Sequence, residues 1–89
     1  VSQTITLRYW AAAKAAAGTD ADEVAVDGPV TLSRLLLEAR RLHPEGRLPG
    51  VLEVCSVLVE DRPVASDDPA EVLVQPGETV QFLPPFAGG

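Results

Sequence analysis

Thr31-Leu32-Ser33-Arg34-Leu35-Leu36-Leu37-Glu38-Ala39-Arg40-Arg41-Leu42-His43-Pro44 is the one stretch of this 89-residue chain that reads as a long helix. Leu32, Leu35, Leu36, Ala39 and Leu42 recur at i, i+3, i+4 and i+7 and form a single apolar stripe, with Arg34, Glu38 and Arg41 lying off it. Thr31 suits an N-cap, because its hydroxyl can accept from an orphaned backbone N–H of the first turn. Arg40, Arg41 and His43 put positive charge against the carbonyl end of the helix, and a charge-complementing surface role is expected of His43. Pro44 stops the helix and Gly46 follows in the loop. One amphipathic helix needs one sheet face on which to bury its stripe.

On the N-terminal side, Thr4-Ile5-Thr6-Leu7-Arg8-Tyr9-Trp10 alternates, with Ile5, Leu7 and Tyr9 on one face and Thr4, Thr6 and Arg8 on the other. That is a half-buried strand. Ala11 to Ala17 supplies strong helix formers and Gly18 a C-terminal cap, so a short helix is expected. Asp20-Ala21-Asp22 reads as a turn, and Glu23-Val24-Ala25-Val26 as a short strand ended by Asp27-Gly28-Pro29. The two strands are expected to pair antiparallel.

On the C-terminal side, Leu48 to Val54 is broken by Pro49-Gly50 and reads as a short helical turn before the strand Ser56-Val57-Leu58-Val59-Glu60. Asp61-Arg62 turns the chain and Pro63-Val64 returns it. Ser66-Asp67-Asp68-Pro69 is a further turn, with a single helical turn expected after it, and Val72-Leu73-Val74 is a short apolar piece. Gln75-Pro76-Gly77-Glu78 carries Pro then Gly at its centre, the type II signature. Thr79-Val80-Gln81-Phe82-Leu83 is the final strand, with Val80 and Phe82 pointing one way.

The fold class that follows is α+β: a sheet packed on one face by one main helix. With the first and last strands side by side in its middle, this is the β-grasp (ubiquitin-like) arrangement, a mixed sheet from which an extended Gly-Gly tail leaves. Residues 1–83 form the body and residues 84–89 the tail.

The composition is globular, 46% hydrophobic and 22% charged, with no apolar run long enough to span a bilayer and no basic leader before an apolar stretch. No membrane association is expected. The chain begins at Val1 rather than methionine, which implies processing or trimming. One cysteine, Cys55, precludes an internal disulfide and fits a reducing compartment, so the cytoplasm is the expected location. The net charge of −6 argues against nucleic acid, which demands clustered Lys and Arg. It suits docking on a basic surface of a protein partner.

Enzymatic machinery is missing from the pattern. No Gly-rich phosphate loop and no HExxH or CxxC ligand spacing occurs, so no metal or cofactor is expected on this chain. His43 is the only histidine, and nothing completes a triad around it. Cys55 stands at the mouth of an apolar strand and reads as a small buried hydrophobe. Asp20, Asp22, Glu23, Asp67 and Asp68 read as solvated loop carboxylates.

The unusual chemistry lies in Leu83-Pro84-Pro85-Phe86-Ala87-Gly88-Gly89. Pro84 and Pro85 fix φ and remove two donors, so the segment leaves the last strand stiff and extended. Gly88 and Gly89 then end the sequence without side chains, and residues 84–89 could reach about 20 Å from the body. A stiff base with a bare tip suits delivery of a carboxylate into a narrow site on another protein.

Three stretches carry a family resemblance that spans essentially the whole chain. They are Arg8-Tyr9-Trp10-Ala11-Ala12-Ala13-Lys14-Ala15-Ala16-Ala17-Gly18, Pro76-Gly77-Glu78-Thr79-Val80 and the Pro-Pro-x-x-Gly-Gly ending. The chain resembles the MoaD/ThiS group of ubiquitin-like sulfur carriers, and within it the small subunit of molybdopterin synthase. It departs from the family pattern at Trp10, where Phe is usual, at Lys14, where Arg is usual, and at Phe86, where a smaller valine is frequent.

The resemblance implies a role without catalysis by this chain alone. An adenylyltransferase partner would use ATP and Mg²⁺ to convert the Gly89 carboxylate to an acyl-adenylate, since an ionised carboxylate is a poor electrophile. A persulfide sulfur would then displace AMP and leave a thiocarboxylate. The large subunit of molybdopterin synthase would receive it, in a heterotetramer, and build a dithiolene on a cyclic pyranopterin monophosphate. Gly89 and Gly88 would act in the chemistry, and Pro84, Pro85, Phe86 and Ala87 would seat the tail in the partner. Carriers for thiazole, cysteine or tRNA thiolation share the Gly-Gly end; thiazole carriers tend to lack the helix after the first strand, so the Ala-rich helix favours molybdopterin. Two further readings are an interaction module without covalent chemistry and isopeptide conjugation to lysine.

Overall fold

The first strand forms where the alternation places it. In a computed structural model, which describes residues 3–44, 46–64 and 67–84, strand β1 spans Gln3–Tyr9, and Ile5, Leu7 and Tyr9 are buried. Helix α1, Ala11–Ala17, follows at once. Gly18 caps it in the left-handed region at φ +75°, a conformation open to glycine without steric cost, and donates its N–H to the Lys14 carbonyl.

Strand β2 covers Ala21–Val26 and pairs antiparallel with β1 from Gln3↔Val26 to Arg8↔Ala21. The expected turn at Asp20-Ala21-Asp22 is therefore shorter than its composition implies: Ala21 and Asp22 already belong to the strand. Asp is a poor strand former, but Asp22 here accepts hydrogen bonds from two directions, described below, and tertiary bonding overrides propensity.

Helix α2, Leu32–Leu42, is capped as expected: Thr31 Oγ1 accepts from the Arg34 N–H at 3.2 Å. Leu32, Leu35 and Ala39 are fully buried, Leu36 is half-buried and Leu42 stays 42% exposed. The stripe is thus narrower than the periodicity suggests. Leu48–Val54 forms a full short helix, α3, with Pro49 in its first turn, where a missing N–H costs nothing. Among the described residues the body therefore carries three helices, the long one and two of seven residues each.

Strand β4, Ser56–Val59, and the two-residue β5, Arg62–Pro63, make the remaining hairpin. Val30–Thr31 (β3) and Leu73–Val74 (β6) form a separate two-stranded ladder that fastens the start of α2. After Pro69 the chain makes a turn, not a helical turn: the Ala70 N–H donates to Asp68 Oδ1 and the Glu71 N–H to the Asp68 carbonyl. The Pro76-Gly77 turn has Gly77 at φ +89° and a Glu78 N–H to Gln75 carbonyl bond of 3.1 Å, as a type II turn requires.

The last strand, β7 (Thr79–Leu83), takes the centre of the five-stranded sheet, whose order is β2-β1-β7-β4-β5. It runs parallel to β1, with Leu7↔Val80 and Tyr9↔Phe82, and antiparallel to β4, with Val57↔Phe82 and Ser56↔Leu83. A parallel pair needs a long crossover, and α2, α3 and the β4–β5 hairpin supply it. The core lies between this sheet and helices α2 and α3, with Ile5, Leu7, Tyr9, Val80 and Phe82 in one cluster with Leu32, Leu35 and Leu48. This is the expected β-grasp architecture. No described helix is long and apolar enough to cross a membrane.

Candidate functional site at the base of the tail

Phe82 shows how the last strand is held. It is fully buried, stacks on Tyr9 with ring centroids 5.7 Å apart, and its carbonyl accepts from the Trp10 N–H at 3.0 Å. Burial of a ring this size contributes about 3 kcal/mol. One residue on, Leu83 still pairs with Ser56; Pro84, with no N–H, cannot extend either ladder. The pairing of β7 therefore ends where the proline begins, and Pro84 is exposed. Pro85, Phe86, Ala87, Gly88 and Gly89, named above as tail-seating and sulfur-bearing residues, lie outside the described residues.

The sheet's open face surrounds this exit. Parallel pairing of β1 with β7 sets Arg8 beside Gln81, and Trp10 continues the same face. Trp10 is 39% exposed, and its Nε1–H donates to Gln81 Oε1 at 3.0 Å. The Arg8 guanidinium lies 4.6 Å from the Trp10 ring centroid, in cation–π geometry. Gln81 Nε2 in turn donates to the Glu60 carbonyl, and Glu60 Oε2 accepts from the Thr79 N–H at 2.8 Å. An aromatic and cationic platform is thereby fixed across β1 and β7, tied to Glu60 after β4. Glu60 sits at φ +57°, an uncommon conformation for a non-glycine residue, and these bonds on both its side chain and backbone hold it there.

Beneath the sheet, the Tyr9 hydroxyl donates to Asp22 Oδ2 at 3.0 Å, and His43 Nε2 contacts the same oxygen at 2.5 Å. The His43 ring also meets Tyr9 edge-on at 5.9 Å. His43 is thus not a solvated charge at a helix end; it is half-buried and ties the end of α2 to β1 and β2. Burial first, then the bond to Asp22 and its charge, raise the Tyr9 phenol far above its ordinary range. The phenol stays protonated and serves as a donor.

Two further titratable groups are shifted by their surroundings. Asp20 pairs with Lys14 at 2.8 Å, which lowers its carboxyl below the usual range. Cys55 is half-buried directly before β4, and burial raises its thiol, so it stays neutral rather than nucleophilic. Among the described residues no group of three or more His, Cys, Asp or Glu side chains converges as a metal site. The platform residues Arg8 and Gln81 were not singled out from sequence. The signal was present: once β1 and β7 are placed side by side, alternation puts Arg8, Trp10 and Gln81 on one face.

The profile of the ThiS family matches residues 7–89. Among curated proteins no sequence matches the chain closely enough to count as a relative. Solved structures repeat the fold at low identity. The HVO 2177 protein of Haloferax volcanii is 24% identical, with a TM-score of 0.77 over 99% of this chain and 88% of that one. Small archaeal modifier protein 1 of H. volcanii is 20% identical, with a TM-score of 0.76 over 94% and 99%. A chain in the complex of subunits 1 and 2 of molybdopterin-converting factor from Helicobacter pylori is 20% identical, with a TM-score of 0.64 over 97% and 99%. The chain belongs to the ThiS family, among the ubiquitin-like sulfur carriers.

Proposed function

We propose that this ThiS-family chain carries sulfur as a thiocarboxylate on Gly89 and delivers it to the large subunit of a molybdopterin synthase. The observation that carries the reading is the position of β7. The central strand, held on both sides, ends in an exposed Pro84 and continues as Pro85-Phe86-Ala87-Gly88-Gly89. A tail launched from the middle of a sheet has its direction fixed by two ladders, and glycine at the tip removes every Cβ that a close-fitting channel would exclude.

The chemistry belongs to partners acting on this arm. With Gly89 as the terminal residue, its carboxylate attacks the α-phosphate of ATP on an adenylyltransferase; pyrophosphate leaves and an acyl-adenylate forms. A persulfide attacks the acyl carbon and AMP departs with the bonding electrons. A second thiol then takes the carrier sulfur of the donor as a disulfide, leaving the thiocarboxylate on Gly89. The thiocarboxylate sulfur, a stronger nucleophile than a carboxylate oxygen, is what reaches the pyranopterin in the large subunit. Phe86, Ala87, Pro85 and Pro84 seat the arm, and the open face around Trp10 docks beside it. The paired assembly is a heterotetramer.

The test is reconstitution. The thiocarboxylated chain is mixed with a molybdopterin synthase large subunit and cyclic pyranopterin monophosphate, and dithiolene product is assayed. Product formation that stops when Gly88 and Gly89 are deleted is the expected result. A loaded chain that transfers sulfur to a thiazole, cysteine or tRNA pathway but not to the pyranopterin would overturn the assignment of acceptor while keeping the carrier.

A further inference from the structure

The sheet has two edges, and they differ. The β5 edge is two residues long and contains Pro63, which has no N–H to offer. The β2 edge is six residues long and is paired on one side only. The register tells which groups it leaves open. The Tyr9 N–H donates to the Asp20 carbonyl, whereas the Thr6 N–H donates toward β7, to Glu78. Odd residues of β1 therefore face β2, and Asp22 and Val24 make the ladder bonds opposite Leu7 and Ile5. The N–H and C=O of Glu23 and Ala25 point outward, away from the sheet.

Beside that edge runs a groove between β2 and α2, lined by Val24, Val30, Leu35 and Leu42. Its charges are unequal in their satisfaction. On the helix rim, Arg41 and Arg34 share Glu38, with Nη2 of Arg41 at 2.6 Å and Nε of Arg34 at 3.7 Å from its oxygens. On the strand rim, Glu23 and Asp27 make no ion pair among the described residues. A second copy is a poor occupant. Two-fold pairing centred on Ala25 sets Glu23 of one copy against Asp27 of the other, centring on Glu23 sets the two glutamates together, and centring on Val24 sets Glu23 opposite Ala25, so no register of β2 on itself brings a cation to either acid.

We propose that the β2–α2 groove binds an extended segment of a partner protein that adds a strand to β2, alternating apolar side chains toward α2 with Lys or Arg beside Glu23 and Asp27. The outward N–H and C=O groups of Glu23 and Ala25 supply the backbone bonds, and the two acids set the preference for basic sequence. The surface is separate from the end of β7, since β1 lies between β2 and β7, so a partner can be held here while the tail is engaged elsewhere.

The test uses the full chain and a short synthetic peptide of alternating lysine and valine, followed by NMR. Binding shifts the resonances of Glu23 to Val26 and protects the Glu23 and Ala25 amides from hydrogen exchange. Ala25→Pro removes an outward donor without touching the ladder to β1, and weakens binding about tenfold while sulfur loading of the tail is unchanged. Should that variant fold poorly, an N-methylated peptide deletes the same bonds from the other side and must also lose affinity. Glu23→Lys with Asp27→Lys switches preference to a glutamate–valine peptide. Shifts centred on Arg8, Trp10 and Gln81, equal binding of the acidic peptide by the parent chain, or full affinity for the N-methylated peptide would overturn the proposal.

Discussion

β7 and β2 are strands of nearly equal length in one sheet, five residues and six, but β7 is paired on both sides and β2 on one. The difference lies in what each strand can do. β7 has no spare backbone groups until Pro84, so all it offers outward is its end, aimed by β1 and β4. β2 offers a side: a row of N–H and C=O groups along its length. Delivery of a chain terminus suits a strand held at the centre, and capture of another chain suits an edge.

The largest effect expected from breaking this contrast falls on the tail. Deleting Gly88 and Gly89 should reduce sulfur loading to background while leaving the melting temperature unchanged, because β7 ends before them; mass spectrometry and thermal unfolding read the two halves. The next concerns the centre of the sheet. Phe82→Ala should cost about 3–5 kcal/mol in urea unfolding, as expected for a fully buried ring whose cavity cannot collapse.

A smaller effect links the two strands through Tyr9. The folded chain keeps the phenol proton that the unfolded chain releases near about pH 10. The native state then binds more protons than the unfolded one, so this contribution is complete below about pH 10 and declines as pH rises beyond it. Tyr9→Phe should remove that alkaline decline and, by leaving Asp22 one donor short, cost about 1 kcal/mol at neutral pH; urea titrations across pH measure both. The smallest expected change is at Ala11, which opens α1 at φ +50° just after Trp10. Ala11→Gly should relieve that left-handed conformation and raise stability by about 0.5–1 kcal/mol, read by the same denaturant titration.

Much of this was legible in the chain because the informative signals are local. The Thr31 cap, the Gly18 terminus, the Pro76-Gly77 turn and the alternation through Ile5, Leu7 and Tyr9 each act within a few residues, and each forms as read. The side-by-side placing of the first and last strands is an expectation from the order of the elements, and β7 does lie between β1 and β4. What escaped depends on distant partners. Asp22 reads as a turn residue until Tyr9 and His43, 13 and 21 positions away, are seen to share its carboxylate. The β3–β6 ladder is two residues long on each strand, too short for any period to show. Leu48–Val54 carries Pro49-Gly50, a breaker in a helix interior but harmless at its start; the sequence places the segment at these bounds but suggests only a short turn, where the chain forms a helix of seven residues.

The site was legible in part. Pro84 was expected to leave the last strand, and it does so, exposed. Trp10 departs from the family's usual Phe, but its bond to Gln81, 71 positions away, requires the parallel pairing of the first and last strands.

The most direct test of the account is intact-protein mass spectrometry of the full chain after incubation with ATP, Mg²⁺, a persulfide donor and an adenylating enzyme of the sulfur-carrier type. The account predicts a mass gain equal to replacing one carboxylate oxygen by sulfur, located on Gly89 by fragmentation. An unchanged mass, with the same enzyme loading a known carrier in parallel, would contradict it and leave the central strand aiming an inert peptide.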